Sequence, residues 1–419
     1  MADLDALSGP PDASTGITAS TDSRADADAR SDADASTDAR TGRGAVPIRP
    51  DLVSLDGYHS PQVEVDVRLN TNESPLPPPE AWLAALRDEL GRIDFNRYPD
   101  RQATDLRAAV ARSHGVQPEQ VFCANGSNEV LQCLLLAYGG PGRTVALFEP
   151  TYTLHRHIAM ITGTGVVTGS RTDDFELDPE EVALVLAESQ PIITFLCSPN
   201  NPTGRADPPE TVQRVVAEGT GLVVVDEAYG QFAPSSALEL VRAGGPGSER
   251  VVVVRTFSKT WSMAAGRLGY LVASPEVVAA CELVTLPYHL DAIKQVAGRL
   301  ALQFEEAMEA RVAMLREERG RIAASLAELP VETWPSDANF ILFRPSERSA
   351  RQVWQSLLDQ SVLVRDCSEW PGLTGCLRVT VGLPEENDRF LVALHTALEG
   401  PTEGPTEGPT EGPLEESRT

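Results

Sequence analysis

Lysine is almost missing from this chain. Of its 35 basic residues only Lys259 and Lys294 are lysines, and arginine supplies the rest. Arginine stays protonated and cannot form an imine, so any amine chemistry falls to those two positions. Long apolar runs are missing as well: none reaches the roughly 18–20 residues of a membrane span. The N-terminus (MADLDALSGPPDASTG) has no basic stretch followed by an apolar core, which speaks against a secretory signal, and it lacks the arginine-rich, acid-poor character of a transit peptide. Six cysteines, at 123, 133, 197, 281, 367 and 376, show no CxxC or CxxH spacing. They read as reduced thiols of a cytoplasmic protein with no metal site. No GxxxxGK[ST], GxSxG or HExxH occurs, and GGPGR (139–143) lacks the spacing of a dinucleotide loop. The six histidines are too dispersed to suggest metal ligation.

Net positive charge is also lacking. The formal charge is −26, and residues 1–44 and 399–419 carry −5 each, so the stretch between them holds −16. That acidity disfavours nucleic acid and anionic membrane as partners. Residues 1–44 are near-repeats of Ala, Asp, Ser and Thr with almost nothing to bury, and 399–413 is the literal repeat EGPTEGPTEGPTEGP. Both are expected to be disordered, solvated tails.

What lies between is rich in order. Apolar strand-like runs alternate with helical stretches: 129–139 then 144–150, 179–189 then 192–199, 209–219 then GLVVVDEAY, followed by VVVVRTFSK and RLGYLVAS. Such alternation implies an α/β fold with a mostly parallel sheet covered by helices, whose ligands bind beyond the carboxyl ends of the strands. After about residue 290 the pattern changes. One long helix over 292–329, with Asp291 as N-cap and Pro330 as stop, leads to strands near 331–344, 362–366 and 376–382 and a final helix over 384–398. The division expected is a tail (1–44), an N-terminal arm (45–75), a large domain (76–290), a smaller C-terminal α+β domain with its linking helix (291–398) and a second tail (399–419).

Polar residues gather at the strand ends. Lys259 follows VVVVRTFS, and Asp226 and Tyr229 end the apolar strand before it. An amine, a carboxylate and a phenol so placed supply a Schiff-base lysine, an anion for a pyridinium nitrogen and a donor for a ring hydroxyl, the set that pyridoxal phosphate needs. Each residue also has a plainer reading: a surface lysine, a turn-capping aspartate. In CSPNNPTG, Asn201 is either part of a proline turn or an amide donor aimed at the cofactor. Ser127 and Asn128, in ANGSNEVLQ, open a helix whose free N–H groups suit a phosphate. Arg267 is a surface cation or the second clamp on that phosphate. Tyr152 could stack on a flat ring or pack in the core. Arg365 and Arg378 sit in otherwise apolar strands, where an arginine usually faces a carboxylate or phosphate.

The ordered set RLNTNESPLPPP, NRYPD, ANGSNEVLQ, EPTY, CSPNNPTG, VVVDEAYGQF, RTFSKTW with AGRLGYL, LPYHL, SDANF, VLVRD and CLRVTVG resembles the fold-type I pyridoxal phosphate aminotransferases, specifically the histidinol-phosphate aminotransferase branch, over about residues 50–398. The resemblance implies a large domain with a seven-stranded, mostly parallel sheet between helices and a smaller α+β domain. It implies that Lys259 bonds the cofactor and moves the proton at the substrate's Cα, that Asp226 pairs with the ring nitrogen, and that Tyr229 and Asn201 bond the ring hydroxyl. Tyr152 would stack on the ring, Ser127, Asn128, Ser258 and Arg267 would form the phosphate cup, and Tyr98 would reach the phosphate of a neighbouring subunit, implying a homodimer with composite sites. Arg378 would bind substrate, Arg365 a phosphorylated substrate, and Tyr58 would match an N-terminal substrate tyrosine. Three departures stand out: Ser74 in place of an amide, AAGRLGY for the commoner AGLRLGY, and Asp291 where a small hydroxyl is usual. An extra carboxylate at Asp291 is expected to disfavour an anionic substrate.

The leading function is therefore transamination from a donor such as glutamate, with histidinol phosphate/imidazole-acetol phosphate or an aromatic amino acid as substrate. The alternative keeps fold and cofactor but changes the reaction at Cα, as in a phosphothreonine-type decarboxylase or an enzyme of specialised metabolism. A non-catalytic cofactor sensor ranks below both, because the N-terminal extension shows no helix-turn-helix pattern.

Overall fold

The computed structural model describes residues 46–53, 55 and 63–400. The tail 1–44, the second tail beyond Gly400, and Tyr58 lie outside the described residues. The chain divides into two compact units, Met1–Val53 and Ser54–Thr419. Of the first, residues 46–53 are described; they hold a single 3-10 turn at Pro50–Leu52, where Arg49 pairs with Asp51 at 2.6 Å.

The second unit is built on two sheets. Among the described residues twelve strands run in chain order: β1 (Val67–Leu69), β2 (Val121–Ala124), β3 (Thr144–Glu149), β4 (Gly165–Ser170), β5 (Ile193–Cys197), β6 (Leu222–Asp226), β7 (Val251–Thr256), β8 (Gly269–Val272), β9 (Val331–Thr333), β10 (Phe340–Pro345), β11 (Val362–Asp366) and β12 (Leu377–Thr380). The larger sheet has seven strands in the order β2-β8-β7-β6-β5-β3-β4. Strands β5, β6 and β7 are buried at every position, which explains their nearly continuous apolar runs, valine-rich in β6 and β7: helices cover both faces. All neighbours from β7 to β4 pair in parallel, and only β8 is reversed against β2 and β7. The connection from β7 to β8 is an irregular turn without the crossover helix that a parallel return requires. That turn carries Ser258, Lys259 and Arg267.

The smaller sheet has the order β1-β11-β12-β10-β9, antiparallel except that β1 lies parallel to β11 with Val67 opposite Val362. Strand β1 belongs to the expected N-terminal arm, so residues 67–69 are stitched to a strand almost 300 residues later in the chain. Two expectations need correction. The stretch near 331–344 is two strands, β9 and β10, and the helix over 292–329 is broken. It runs Ala292–Ala301, tightens to a 3-10 turn at Leu302–Phe304, and resumes at Glu305–Leu326. The break lets one sequence serve two partners: the first part packs on the helices Glu80–Leu90 and Thr104–His114, the second on β10 and the final helix Pro384–Glu399. Helical periodicity continues through the join, so the pattern of apolar residues does not mark it. Among the described residues no helix is long and apolar enough to cross a membrane.

Candidate active site

The carboxyl ends of β5, β6 and β7 open into a cavity of about 210 Å³ walled on its other side by β11, β12 and residues 70–72. Lys259 enters three residues after β7 ends, and its Nζ donates to the Thr71 carbonyl at 3.0 Å. Its pKa is pushed down from the usual 10.5 to about 7, first by burial and then by the Arg378 and Arg267 guanidinium groups, against which Glu73 pulls upward. The amine is therefore substantially unprotonated near neutral pH, as a nucleophile or base must be.

Asp226 ends β6 and is 2% exposed. Its Oδ1 accepts the Ala228 amide at 3.1 Å, and its Oδ2 lies 3.0 Å from Nε2 of His155. His155 is fully buried in the helix Thr153–Ile161 and stacks on Phe195 with ring centroids 4.8 Å apart. Its Nδ1 has no partner among the described residues, so the tautomer carrying its proton on Nε2 leaves no buried N–H unmet. The imidazole thus fixes the carboxylate by a donated hydrogen bond.

Tyr229 is buried, and its hydroxyl accepts from Asn72 Nδ2 at 2.9 Å; burial raises its pKa well above the ordinary phenol value. Asn72 is itself held from three sides. Its N–H donates to Thr380 Oγ1, its Oδ1 accepts from the same hydroxyl, and its carbonyl accepts from Asn339 Nδ2 at 3.2 Å. Asn72 has φ 54°, a conformation that asparagine tolerates better than most residues.

At the other end of the cavity the helix Ser127–Tyr138 begins behind Gly126, with no side chain capping it. Its first N–H groups are left for an anion. Arg267 Nη1 donates to Ser258 Oγ at 3.3 Å, and Thr256 Oγ1 bonds the same oxygen at 3.0 Å. Only glycine fits the backbone here. A Cβ on Gly126 (φ 84°) would stand 2.8 Å from Arg267 Nη2, and one on Gly269 would stand 2.3 Å from the Ser127 nitrogen. The result is a cradle of backbone donors, a hydroxyl and a guanidinium, shaped for a phosphate.

Strands β11 and β12 add two further cations. Arg378 is buried; Nη2 donates to the Asn70 carbonyl at 3.0 Å and Nη1 to Asn201 Oδ1. The Asn201 oxygen is thus occupied, leaving its Nδ2 as the donor. Arg365 is the direct cross-strand partner of Arg378, and its guanidinium lies 5.9 Å from the Trp370 ring centroid.

Ser127, Asn128, Tyr152, Asn201, Asp226, Tyr229, Ser258, Lys259, Arg267, Arg365 and Arg378 all line this one cavity. Tyr98 does not: it is 80% exposed and stacks on Tyr288 with centroids 4.4 Å apart. Asp291 does not stand where the expected penalty would place it within its own chain. This carboxylate does not line the cavity; it caps the helix Ala292–Ala301 through the Lys294 amide at 2.9 Å and pairs with the Lys294 ammonium at 2.7 Å. Ser74, the first of the three departures, accepts from Ser262 at 2.9 Å and donates to the Leu76 carbonyl. Sequence reasoning assigned no role to Asn70, Thr71, Asn72, His155 or Trp370. His155 follows Tyr152, the N-cap of its helix, by three residues, and the two rings meet edge to face with centroids 5.4 Å apart; this closeness in sequence was the available signal.

The sequence profile described as "Aminotransferase class I and II" matches residues 64–394. The chain is 47% identical over 371 residues to a histidinol-phosphate aminotransferase of Frankia casuarinae, covering 85% of this chain and 91% of that protein. A histidinol-phosphate aminotransferase of Thermobifida fusca is 45% identical over 362 residues, with 84% and 95% covered. In fold, the chain is similar to the crystal structure of histidinol-phosphate aminotransferase from Sinorhizobium meliloti in complex with pyridoxal-5'-phosphate, with a TM-score of 0.77, 24% identity, and 85% and 98% of the two chains covered.

Proposed function

Because the chain belongs to the class I and II aminotransferases, we propose that it moves the amino group of a donor such as glutamate to a keto acceptor, with histidinol phosphate and imidazole-acetol phosphate as the pair interconverted. The observation that carries this reading is the cross-strand pair Arg365 and Arg378, two cations facing the same cavity as an amine with a pKa near 7.

The cofactor is pyridoxal 5′-phosphate, and the donor set suits each of its polar parts. When bound, it supplies an electron sink for the bond that breaks at the substrate's Cα. Asp226, kept in place by His155, is the anion for the ring nitrogen. Tyr229 and Asn201 serve the ring hydroxyl, and Tyr152 the ring face. Ser127, Asn128, Ser258 and Arg267 hold the phosphate in a cradle that glycines 126 and 269 keep open. Lys259 would carry the cofactor and, once released from it, take and return the proton at the substrate's Cα; in the cofactor-free chain burial already brings this amine to about 7. Arg378, buried and doubly bonded, is a fixed anchor for a substrate anion, and Arg365 holds the phosphate of a phosphorylated substrate. We assign the large domain to residues 76–290 and the small one to 291–398, with the arm at 45–75 contributing Asn70 to Asn72.

Arg365→Gln is the test of the substrate. A lost charge-assisted hydrogen bond is worth about 1.5–3 kcal/mol, so KM for histidinol phosphate should rise roughly ten- to hundred-fold, with a much smaller change for histidinol. Equal losses for the phosphorylated and the plain amine would refute the role of Arg365.

The proposal includes a homodimer. Phe95, Tyr98, Leu283 and Leu286 expose large apolar side chains, and Tyr98 is the residue that would reach a partner's phosphate site. Sedimentation equilibrium is expected to give twice the chain mass of 45.0 kDa, and a fully active monomer would exclude composite sites. The proposal also includes the cytoplasm, since all six cysteines are buried and unpaired; recovery with secreted proteins would contradict it.

A further inference from the structure

Arg365 and Arg378 stand opposite each other across β11 and β12, in surroundings that differ in burial and in the ring beside them. Arg378 is buried and bonded to two oxygens. Arg365 is only partly buried, and the Trp370 ring lies beneath its guanidinium at 5.9 Å. A long arginine side chain loses rotamer freedom when fixed, so a neighbour that helps to pre-place it raises affinity for an anion.

Trp370 is well suited to that task. It lies in the connection from β11 to β12, which is wound into successive turns: Trp370 N–H donates to the Cys367 carbonyl at 3.0 Å, Leu373 N–H to the Trp370 carbonyl at 3.0 Å, and Cys376 N–H to the Leu373 carbonyl at 2.9 Å. Gly372 has φ 74°, and a Cβ added there would meet Pro150 at 3.5 Å, so the connection leans on the loop that leads to Tyr152. The indole packs against a small buried cluster that includes Phe175, Trp334 and Leu342. Backed by that cluster, it lines the cavity as a wall, not as a mobile flap.

We infer that Trp370 is a specificity-determining residue: it positions Arg365 and offers an apolar wall to a substrate that combines a flat ring with an anionic group. The inference rests on the reading above, and it names the side of the site that selects such a substrate over the amino donor. Glutamate has no ring to place against the indole. A phosphorylated imidazole has both features that the Arg365–Trp370 pair would recognise, an anion for the cation and a ring for the wall.

The test uses the holoenzyme and the variants Trp370→Phe and Trp370→Leu, with calorimetric Kd for histidinol phosphate measured beside steady-state kinetics. Trp370→Leu should weaken histidinol phosphate roughly ten-fold more than glutamate, in both Kd and KM, the size that a desolvated cation–π contact supports. Trp370→Phe, which keeps a ring, should recover most of that difference. An equal loss for both substrates would mark a general disturbance of the connection and overturn the inference, as would unchanged binding by Trp370→Leu. Should wild-type enzyme not bind histidinol phosphate at all, the substrate reading falls and the role of Trp370 with it; wild-type binding that Trp370→Leu retains removes the role of Trp370 alone. Thermal midpoints of the three proteins show whether a variant has lost its fold, and Trp370→Phe keeps the test decisive if Trp370→Leu has.

Discussion

Lys259→Ala is expected to lower kcat/KM by roughly four orders of magnitude or more, because one change removes both the covalent anchor of the cofactor and the base at the substrate's Cα. No neighbouring amine can stand in, since the other lysine, Lys294, is tied to Asp291 and does not line the cavity. Borohydride reduction followed by peptide mapping should place cofactor on the Lys259 peptide of the wild type and nowhere in the variant. Cofactor fixed to the chain in Lys259→Ala would sink the assignment.

The lowered pKa of the same amine carries its own signature in cofactor-free protein. Burial, helped by Arg378 and Arg267, sets it near 7 in the folded chain, against the usual 10.5. Between those values the unfolded chain binds a proton that the folded chain does not. Stability therefore rises with pH across that window, and the penalty of a buried ammonium is felt in full below about pH 7. Denaturant titrations at several pH values should show the stability of wild type gaining on that of Lys259→Met as pH rises from 7 toward 10. Parallel pH slopes would show that the amine is not perturbed.

The second large effect is at Asp226. Asp226→Asn keeps the shape of the side chain but removes the buried negative charge that the cofactor's ring nitrogen is proposed to meet. Breaking such a buried pair is worth about 3–5 kcal/mol, so kcat/KM is expected to fall roughly a hundred- to several-thousand-fold, with weaker cofactor retention on dialysis. His155 sharpens the expectation: its N–H is built to donate to a carboxylate oxygen, and an amide turned the wrong way would present it with another donor. Activity within a few-fold of wild type in Asp226→Asn would refute the pairing.

Local chemistry made much of this legible in advance. The buried strands β6 and β7 announce themselves by valine runs, and polar residues follow at their ends, so Asp226 and Lys259 could be placed at the ends of neighbouring strands from order alone. Ser127 was readable because a helix start without a capping side chain behind a glycine is a local pattern. Residues that act through distant partners were not readable. Asn72 reaches Tyr229 from 157 positions away and Thr380 from 308, and no property of an isolated asparagine reports such contacts. Strand β1 is three residues long, and its role appears only when β11 lies beside it. Asp291 was misjudged for the same reason: sequence placed a carboxylate near the site, whereas side-chain geometry turned it to a helix end and a lysine.

By itself, then, the sequence determined the α/β class and the mostly parallel sheet, and it singled out Lys259, one of two lysines, with Asp226 and Tyr229 as the residues proposed to meet the cofactor, because periodicity, turn residues and residue type are properties of short segments. Tertiary structure alone decided the reversed strand β8, the break in the long helix, the clamp on Asp226 by His155, the depression of the Lys259 pKa and the seating of Arg365 against Trp370. Each of these depends on burial or on contact between segments far apart in the chain, and both arise only when the chain has closed on itself.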